Sequence, residues 1–293
     1  MARVRTAIIP AAGLGTRLLP AVKAVPKELL PVFDRPLLDH AIAEARAAGV
    51  ERIVVVGARG KTALADHLDS KPELERALEA AGKTERLAAV RESAGHPGEI
   101  ALVRQREPRG LGHAVWCAGG FVEDEAIAVL LPDDLIRGER GCLAELAAAH
   151  AEVGGTVLAV EHVARERTDR YGILDVEADD GRLARAQGVV EKPAPGDAPS
   201  QLAVVGRYIL DPAVMTALDD QAPDAGGEVQ LTDAIARTRP IHGVRFAGER
   251  FDCGTPAGLL EAGLARAAED PAVARRLRPL ADRVVNAADA AGD

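Results

Sequence analysis

VRTAIIPAAGLGTRLLPAVKAVPKELLP, residues 4–31, begins as a short apolar run and passes into a loop with two glycines and several basic side chains. The run over residues 4–9 is closed by Pro10. It is too short for a helix and bounded by turn residues, so it reads as a buried strand feeding a loop. Outward from it, residues 36–48 carry Leu37, Leu38, Ile42 and Ala45 at helical spacing and stop at Gly49, and residues 52–56 are apolar again up to Gly57. Strand, helix, strand in that order predicts a parallel sheet. Residues 126–131 give another strand, closed by Pro132 and Asp133-Asp134; residues 142–150 give a helix and residues 156–160 a further strand. A doubly wound sheet of this kind takes its ligands beyond the carboxyl ends of its strands, where the glycine loop and Asp133 both fall.

From residue 171 to residue 207 the pattern turns to short strands separated by Gly and Pro, with residues 194–200 a loop, which predicts a smaller antiparallel insertion. Residues 257–290 are helical in composition and rich in Ala and Arg. There is no internal repeat and no clean linker. The expected fold is α/β, with a Rossmann-like, mixed but mainly parallel central sheet flanked by helices. One domain is expected over residues 1–265, its nucleotide-binding part near residues 1–160 and its second-substrate part near residues 161–255. The helical segment 266–293 is expected to pack against another subunit.

Composition excludes several classes. Only 2% of residues are aromatic, which argues against stacking platforms for single-stranded nucleic acid. A net charge of −9, from 36 Lys and Arg against 45 Asp and Glu, opposes nonspecific binding to phosphate polymers or anionic membranes. No nucleic-acid or membrane partner is expected, and any phosphate site must be local. Cys117, Cys142 and Cys253 are too scattered for a disulfide framework or a zinc site. Without a signal-like start or an apolar stretch near the ~20 residues of a membrane span, a cytoplasmic location is expected.

The glycines of Ala11-Ala12-Gly13-Leu14-Gly15-Thr16-Arg17 can offer backbone N–H groups to an anion. They can equally serve a tight turn on steric grounds alone. A hydride-transfer fingerprint fails here because Leu18 replaces its third small residue. Residues 57–62 imitate a P-loop, but Val55 stands where that motif requires glycine, so Lys61 reads as a solvated lysine on a turn. Arg17 can fork onto phosphate oxygens and Lys27 can offer a point charge, so two cations can reach one triphosphate. Lys23 reads as a spectator.

The run Gly13-x-Gly15-Thr16-Arg17-x-x-Pro20, continued by Pro26-Lys27, resembles the signature of the sugar-nucleotide pyrophosphorylases. The resemblance continues through Arg104-Gln105, Gly110-Leu111-Gly112-His113-Ala114-Val115, Leu131-Pro132-Asp133, Tyr171-Gly172, Val190-Glu191-Lys192-Pro193, Val205-Gly206-Arg207-Tyr208, Glu228-Val229-Gln230-Leu231-Thr232-Asp233 and Asp252-Cys253-Gly254, and spans residues 4 to about 265. Ordered matches at sensible spacing are far more specific than any one of them. Val22 departs where the family usually has threonine, and Arg109 where lysine commonly precedes the glycine. Residues 69–98 match poorly and read as a variable surface excursion.

The resemblance implies a nucleotidyltransferase that joins UTP to glucose 1-phosphate with Mg²⁺, giving UDP-glucose and pyrophosphate, with the sugar held by the antiparallel part. It implies Arg17 and Lys27 as catalytic cations, and Ala11, Ala12, Gly13, Gly15 and Thr16 around the triphosphate. Gln105 and Gly110 would read the base; Gly172, Glu191, Lys192 and Arg207 would hold the sugar phosphate; Asp133 and Asp252 would bind the metal. The nucleophile, a sugar phosphate, is already ionised at neutral pH, so the chemistry needs positioning and charge neutralisation rather than a general base.

Either aspartate alone also suits a turn. His113 reads as packed or hydrogen-bonded near the base loop, Asp134 as outer-sphere or exposed, and Arg207 equally as a salt-bridge partner of Glu228 or Asp233. Family relatives imply a homodimer or homotetramer. Two other readings stand beside this one: transfer of a different nucleotide or to a different sugar phosphate, and a non-catalytic binding relative. The second is disfavoured because Arg17, Lys27, Asp133, Lys192 and Asp252 are all present.

Overall fold

The structure, a computed structural model, describes residues 3–123 and 125–291. Side chains of its first strand, β1 (Thr6–Pro10), alternate between two hydrophobic cores, Ala7 and Ile9 entering one and Ile8 the other. That alternation is the period of a strand with both faces covered. After the short hairpin β2 (Pro31–Val32) and β3 (Arg35–Pro36), helix α1 (Leu37–Ala47) packs Leu38, Ala41, Ile42 and Ala45 on the first core. β4 (Arg52–Ala58) returns parallel to β1, as the strand-helix-strand pattern predicts.

Helix α2 (Thr62–Leu68) buries Leu64 in the first core, and α3 (Pro72–Ala80) and α4 (Thr84–Ala94) form the surface excursion, in which Leu87 is the buried position. β5 (Ile100–Gln105), α5 (Gly110–Trp116), β6 (Ile127–Leu130), β7 (Asp134–Arg137), α6 (Cys142–Val153) and β8 (Thr156–His162) follow. β5, β4, β1 and β6 lie side by side and parallel. α6 closes the first core; α5 closes the second.

The antiparallel part is not a separate insertion. β9 (Gly172–Asp179), β10 (Leu183–Glu191), β11 (Leu202–Leu210) and β12 (Ile241–Arg245) continue the same nine-stranded sheet, in the order β5-β4-β1-β6-β11-β8-β12-β10-β9. β11 lies antiparallel between β6 and β8. The reason is visible in its side chains: every residue of β11 is buried, which only a strand covered on both faces allows. α7 (Ala213–Asp219) and α8 (Leu231–Ala236) cover the second core.

β13 (Glu249–Asp252) pairs with β7 as a separate ribbon and leads into α9 (Pro256–Ala267) and α10 (Pro271–Ala291). The expected single C-terminal helical stretch is thus two helices. Residues 292–293 of the expected oligomerisation segment lie outside the described residues. No helix among the described residues is long and apolar enough to cross a membrane.

Candidate active site

The loop after β1 is held at its root and open at its crest. Ala11 is buried and its N–H donates to Val56 O on β4 at 2.8 Å, whereas Gly13, Leu14, Thr16 and Arg17 are exposed. Gly15 takes the left-handed region, φ 68°, to start the turn Thr16–Leu18. The Lys27 stem crosses this loop: a methyl on Gly15 would lie 3.3 Å from Lys27 Cβ and Cδ, and one on Gly13 3.8 Å from its Cε. The two glycines therefore make a bed for Lys27 as well as a turn.

The β7/β13 ribbon brings the two aspartates together. Asp252 pairs opposite Asp134 in the register, and the Cys253 N–H donates to Asp133 O at 2.8 Å. A methyl on Gly254 would lie 2.9 Å from Asp133 Oδ2 and 3.0 Å from Asp252 Oδ1, against the Arg17 guanidinium. Both carboxylates thus converge on one point that only a missing side chain leaves open. Thr255 caps α9 by accepting from the Gly258 N–H at 3.2 Å, which anchors the turn from behind.

Each aspartate carries a cation. Lys27 Nζ donates to Asp133, and Arg17 pairs with Asp252 at 3.1 Å. Burial pushes the Asp133 carboxyl up, but Lys27, its own backbone bonding and Arg17 outweigh it and hold it below the ordinary carboxylate range. Asp133 is therefore an anion at neutral pH. Cys253 between them is buried, its thiol pushed up to about 12, mainly by burial, and is inert packing.

A cleft of about 620 Å³ joins these groups to the antiparallel part of the sheet. Arg17, Asp133, Asp252, Gly172, Glu191 and Lys192 all line it. Gly172 is needed because a methyl there would come within 2.8 Å of Thr232 Cγ2. Glu191 ends β10, accepts from Thr232 Oγ1 at 3.0 Å and pairs with Lys192 at 3.1 Å. Lys192 sits in the left-handed region at φ 45°, an unusual conformation for a lysine, held by its N–H donating to Tyr171 O at 3.0 Å.

Gln105 and Gly110, at the end of β5 and the start of α5, are not among the residues that line this cleft; Leu111, the neighbour of Gly110, is. Gln105 Nε2 donates to Gly110 O at 3.0 Å and faces His113 Nδ1 at 3.0 Å. The carbonyl of Gly110 fixes this amide orientation, since the flipped amide would set oxygen against oxygen. Burial and then Arg109 lower the His113 pKa, so its neutral ring can accept the second amide proton. Gln105 is left with its oxygen for a ligand. Gly110, at φ 86°, is required by the chain itself: a methyl there would strike Glu228 Cβ at 2.9 Å and Val229 O at 3.0 Å.

Three sequence expectations are corrected. Arg207 does not reach the cleft. It is fully buried and donates to Glu44 at 2.8 and 3.0 Å and to the carbonyls of Leu131 and Gly206, both at 3.0 Å. Its salt-bridge partner is Glu44, not Glu228 or Asp233. Asp134 is not exposed: it accepts from Arg250 at 2.6 and 2.9 Å and from the Gly206 N–H at 2.8 Å. Lys61 is not solvated, since its ammonium donates to Ala11 O at 2.7 Å and to both oxygens of Glu28 at 2.8 and 3.0 Å.

The sequence reading missed Arg250, Thr232, Glu44 and Glu28. Of these Arg250 had a signal, because it stands two residues before Asp252 on one strand and so shares its face. It lines the cleft, pairs with Asp134 and Glu161, and lies 5.5 Å from the Tyr171 ring centre.

Cations set against converging carboxylates at the carboxyl end of a parallel sheet place the protein among enzymes that move phosphoryl-linked groups. The chain belongs to the nucleotidyl transferase family, which it matches over residues 6–269. It is 45% identical over 289 residues to a UTP–glucose-1-phosphate uridylyltransferase of Bacillus subtilis strain 168, covering 98% of this chain and 99% of that one. A UTP–glucose-1-phosphate uridylyltransferase of Komagataeibacter xylinus is 48% identical over 255 residues, 86% of this chain and 90% of that one. Among solved structures it is similar to UTP-bound UGPase from Acinetobacter baumannii, with a TM-score of 0.85 at 38% identity, covering 94% of this chain and 98% of that chain.

Proposed function

We propose that this enzyme forms UDP-glucose and pyrophosphate from UTP and glucose 1-phosphate. The observation that carries the reading is the cleft itself, which Arg17, Asp133 and Asp252 line together with Glu191 and Lys192. The triphosphate lies over Ala11, Ala12, Gly13, Gly15 and Thr16, and the sugar phosphate approaches from Gly172, Glu191 and Lys192. A phosphate oxygen of the sugar attacks the α-phosphorus in line and pyrophosphate leaves. Arg17 and Lys27 neutralise charge on the transferred group and the leaving pyrophosphate, Lys192 steadies the incoming phosphate, and Glu191 accepts from sugar hydroxyls.

The donor set fits a hard divalent ion. Two convergent carboxylates are what Mg²⁺ takes alongside phosphate oxygens and water. Among the described residues no group of three or more acidic, His or Cys side chains offers a metal cage, which leaves the remaining positions to substrate. Bound by Asp133 and Asp252, Mg²⁺ would supply electrostatic stabilisation of the phosphates. A homodimer or homotetramer that covers the exposed Leu260 and Leu264 of α9 is the assembly this reading carries.

A pyrophosphate-release screen over UTP, dTTP, CTP and ATP, each with several hexose 1-phosphates and Mg²⁺, tests the reaction. UTP with glucose 1-phosphate is expected to give the highest kcat/KM; no release from any pair would sink the catalytic reading.

Base choice follows from Gln105. With both amide protons used inside the chain, its oxygen accepts the N3–H of a uracil, which cytosine lacks. Thymine has the same group, so Gln105 separates UTP from CTP, not UTP from dTTP. Gln105→Ala is expected to narrow the UTP preference over CTP about tenfold, roughly one hydrogen bond. Direct competition of the two nucleotides measures it, and an unchanged ratio removes Gln105 from the role.

A further inference from the structure

The turn that imitates a P-loop has a different use. Lys61 follows β4 and sends its ammonium beneath the glycine loop, where all three protons are matched by acceptors: Ala11 O, Glu28 Oε1 and Glu28 Oε2. Its side chain is 11% exposed and that of Glu28 0%, so this is an interior pair with little water to replace either partner. Burial, the largest effect on each, raises the Glu28 carboxyl and lowers the Lys61 ammonium from their ordinary values. A buried pair on such terms is weak evidence for a stabilising role, which turns attention to what it holds in place.

What it fixes is visible from its two partners. Ala11 is the root of the phosphate-binding loop, and Glu28 is the neighbour of Lys27 in the turn Lys27–Leu29. Among the described residues no other side chain hydrogen-bonds both segments. The Lys27 stem, which crosses Gly13 and Gly15, is a second contact between the two segments, and it is apolar rather than hydrogen-bonded. The geometry points to Lys61 as a positioning residue: through Glu28 and the Ala11 carbonyl it sets the spacing between the phosphate-binding loop and the turn that carries Lys27. It touches neither substrate; it acts through Lys27. The inference rests on the reaction proposed above.

Steady-state kinetics of pyrophosphate release from UTP and glucose 1-phosphate with Mg²⁺, on Lys61→Met, Glu28→Gln and the double variant, test it. Misplacing a charged group by a fraction of an ångström to one ångström costs about 10- to 100-fold. That loss is expected in kcat of Lys61→Met, with a smaller fall of at least about threefold in Glu28→Gln, and with KM for UTP moving less than about threefold in both. The double variant is expected to be no slower than Lys61→Met, because two residues that work as one unit are not additive.

Direct contact of Lys61 with the triphosphate gives another pattern: a KM for UTP raised about tenfold or more, Glu28→Gln near the parent, and multiplied effects in the double variant. That pattern, or a Lys61→Met kcat within about twofold of the parent, overturns the proposal. If circular dichroism shows that Lys61→Met does not fold, Glu28→Gln decides, since it keeps volume and a hydrogen-bond acceptor, and parental kcat there overturns it too. A parent that releases no pyrophosphate would instead refute the reaction, whereas an active parent with unaffected variants refutes only the role of Lys61.

Discussion

Lys27→Ala is expected to lower kcat by about 10²- to 10³-fold, the usual cost of one preorganised charge contact at a developing transition state. The fall should be in kcat more than in KM for UTP, because the glycine loop and Arg17 still hold the triphosphate. Lys27 is placed for this by three independent restraints: its stem lies on Gly15, its ammonium on Asp133, and its neighbour Glu28 on Lys61. Asp133 keeps the ammonium charged and in place until phosphate oxygens compete for it. Asp133→Ala is expected to cost as much, since it frees the lysine and halves the carboxylate pair. Lys27→Arg should not rescue, because a bulky planar guanidinium does not replace a compact point charge on a stem that lies so close over Gly15 that even a methyl there would be 3.3 Å from it. A kcat within about threefold of the parent in Lys27→Ala would remove the lysine from the chemistry.

Arg207→Ala should be the most damaging change to stability. Among the described residues Arg207 is the largest fully buried side chain, and its guanidinium bonds Glu44 on α1 and the carbonyls of Leu131 and Gly206. Glu44 in turn accepts from the Leu143 N–H at 3.0 Å, in the first turn of α6. One ion pair thus joins α1, β11, α6 and the chain that enters Asp133. Removing one partner of a buried pair typically costs about 3–5 kcal/mol, because the other charge is stranded. Against a usual total of about 5–15 kcal/mol, this is a fall in Tm of roughly 5–8 °C for a chain of 293 residues. Thermal melting by circular dichroism measures it. Replacing both, Arg207→Met with Glu44→Leu, is expected to lose less than Arg207→Ala alone; a double variant that melts lower would mean that the interactions themselves, not the stranded charge, carry the loss.

How much of this was legible depended on the range of the interaction that decides each feature. β1, α1, β4 and the loop before Lys27 are set by local spacing and turn residues, and they stand where the sequence puts them. Asp133 was legible for the same reason, as an acid just past a buried strand. The partners of the interior cations were not. Arg207 looks like a surface cation until Glu44, 163 residues away, is placed beside it. Lys61 looks solvated until Glu28 is folded beneath the loop. The continuity of the sheet was hidden because strand pairing between β11 and β6 leaves no mark on either segment except that both are apolar. Gly110 also meets Glu228 and Val229, a crowding that no local pattern announces.

The β7/β13 ribbon has one more consequence, for the order in which a growing chain acquires its chemistry. Arg17 and the aspartate it pairs with are 235 residues apart, and Asp252 arrives on a late strand that zips onto β7. A nascent chain that has emerged only through β12 already owns the glycine loop, Lys27 and Asp133, yet has no Asp252 and no Gly254 opening between the carboxylates. Competence therefore waits for β13 to emerge, and is conferred by a clasp of four residue pairs rather than by the large sheet that precedes it.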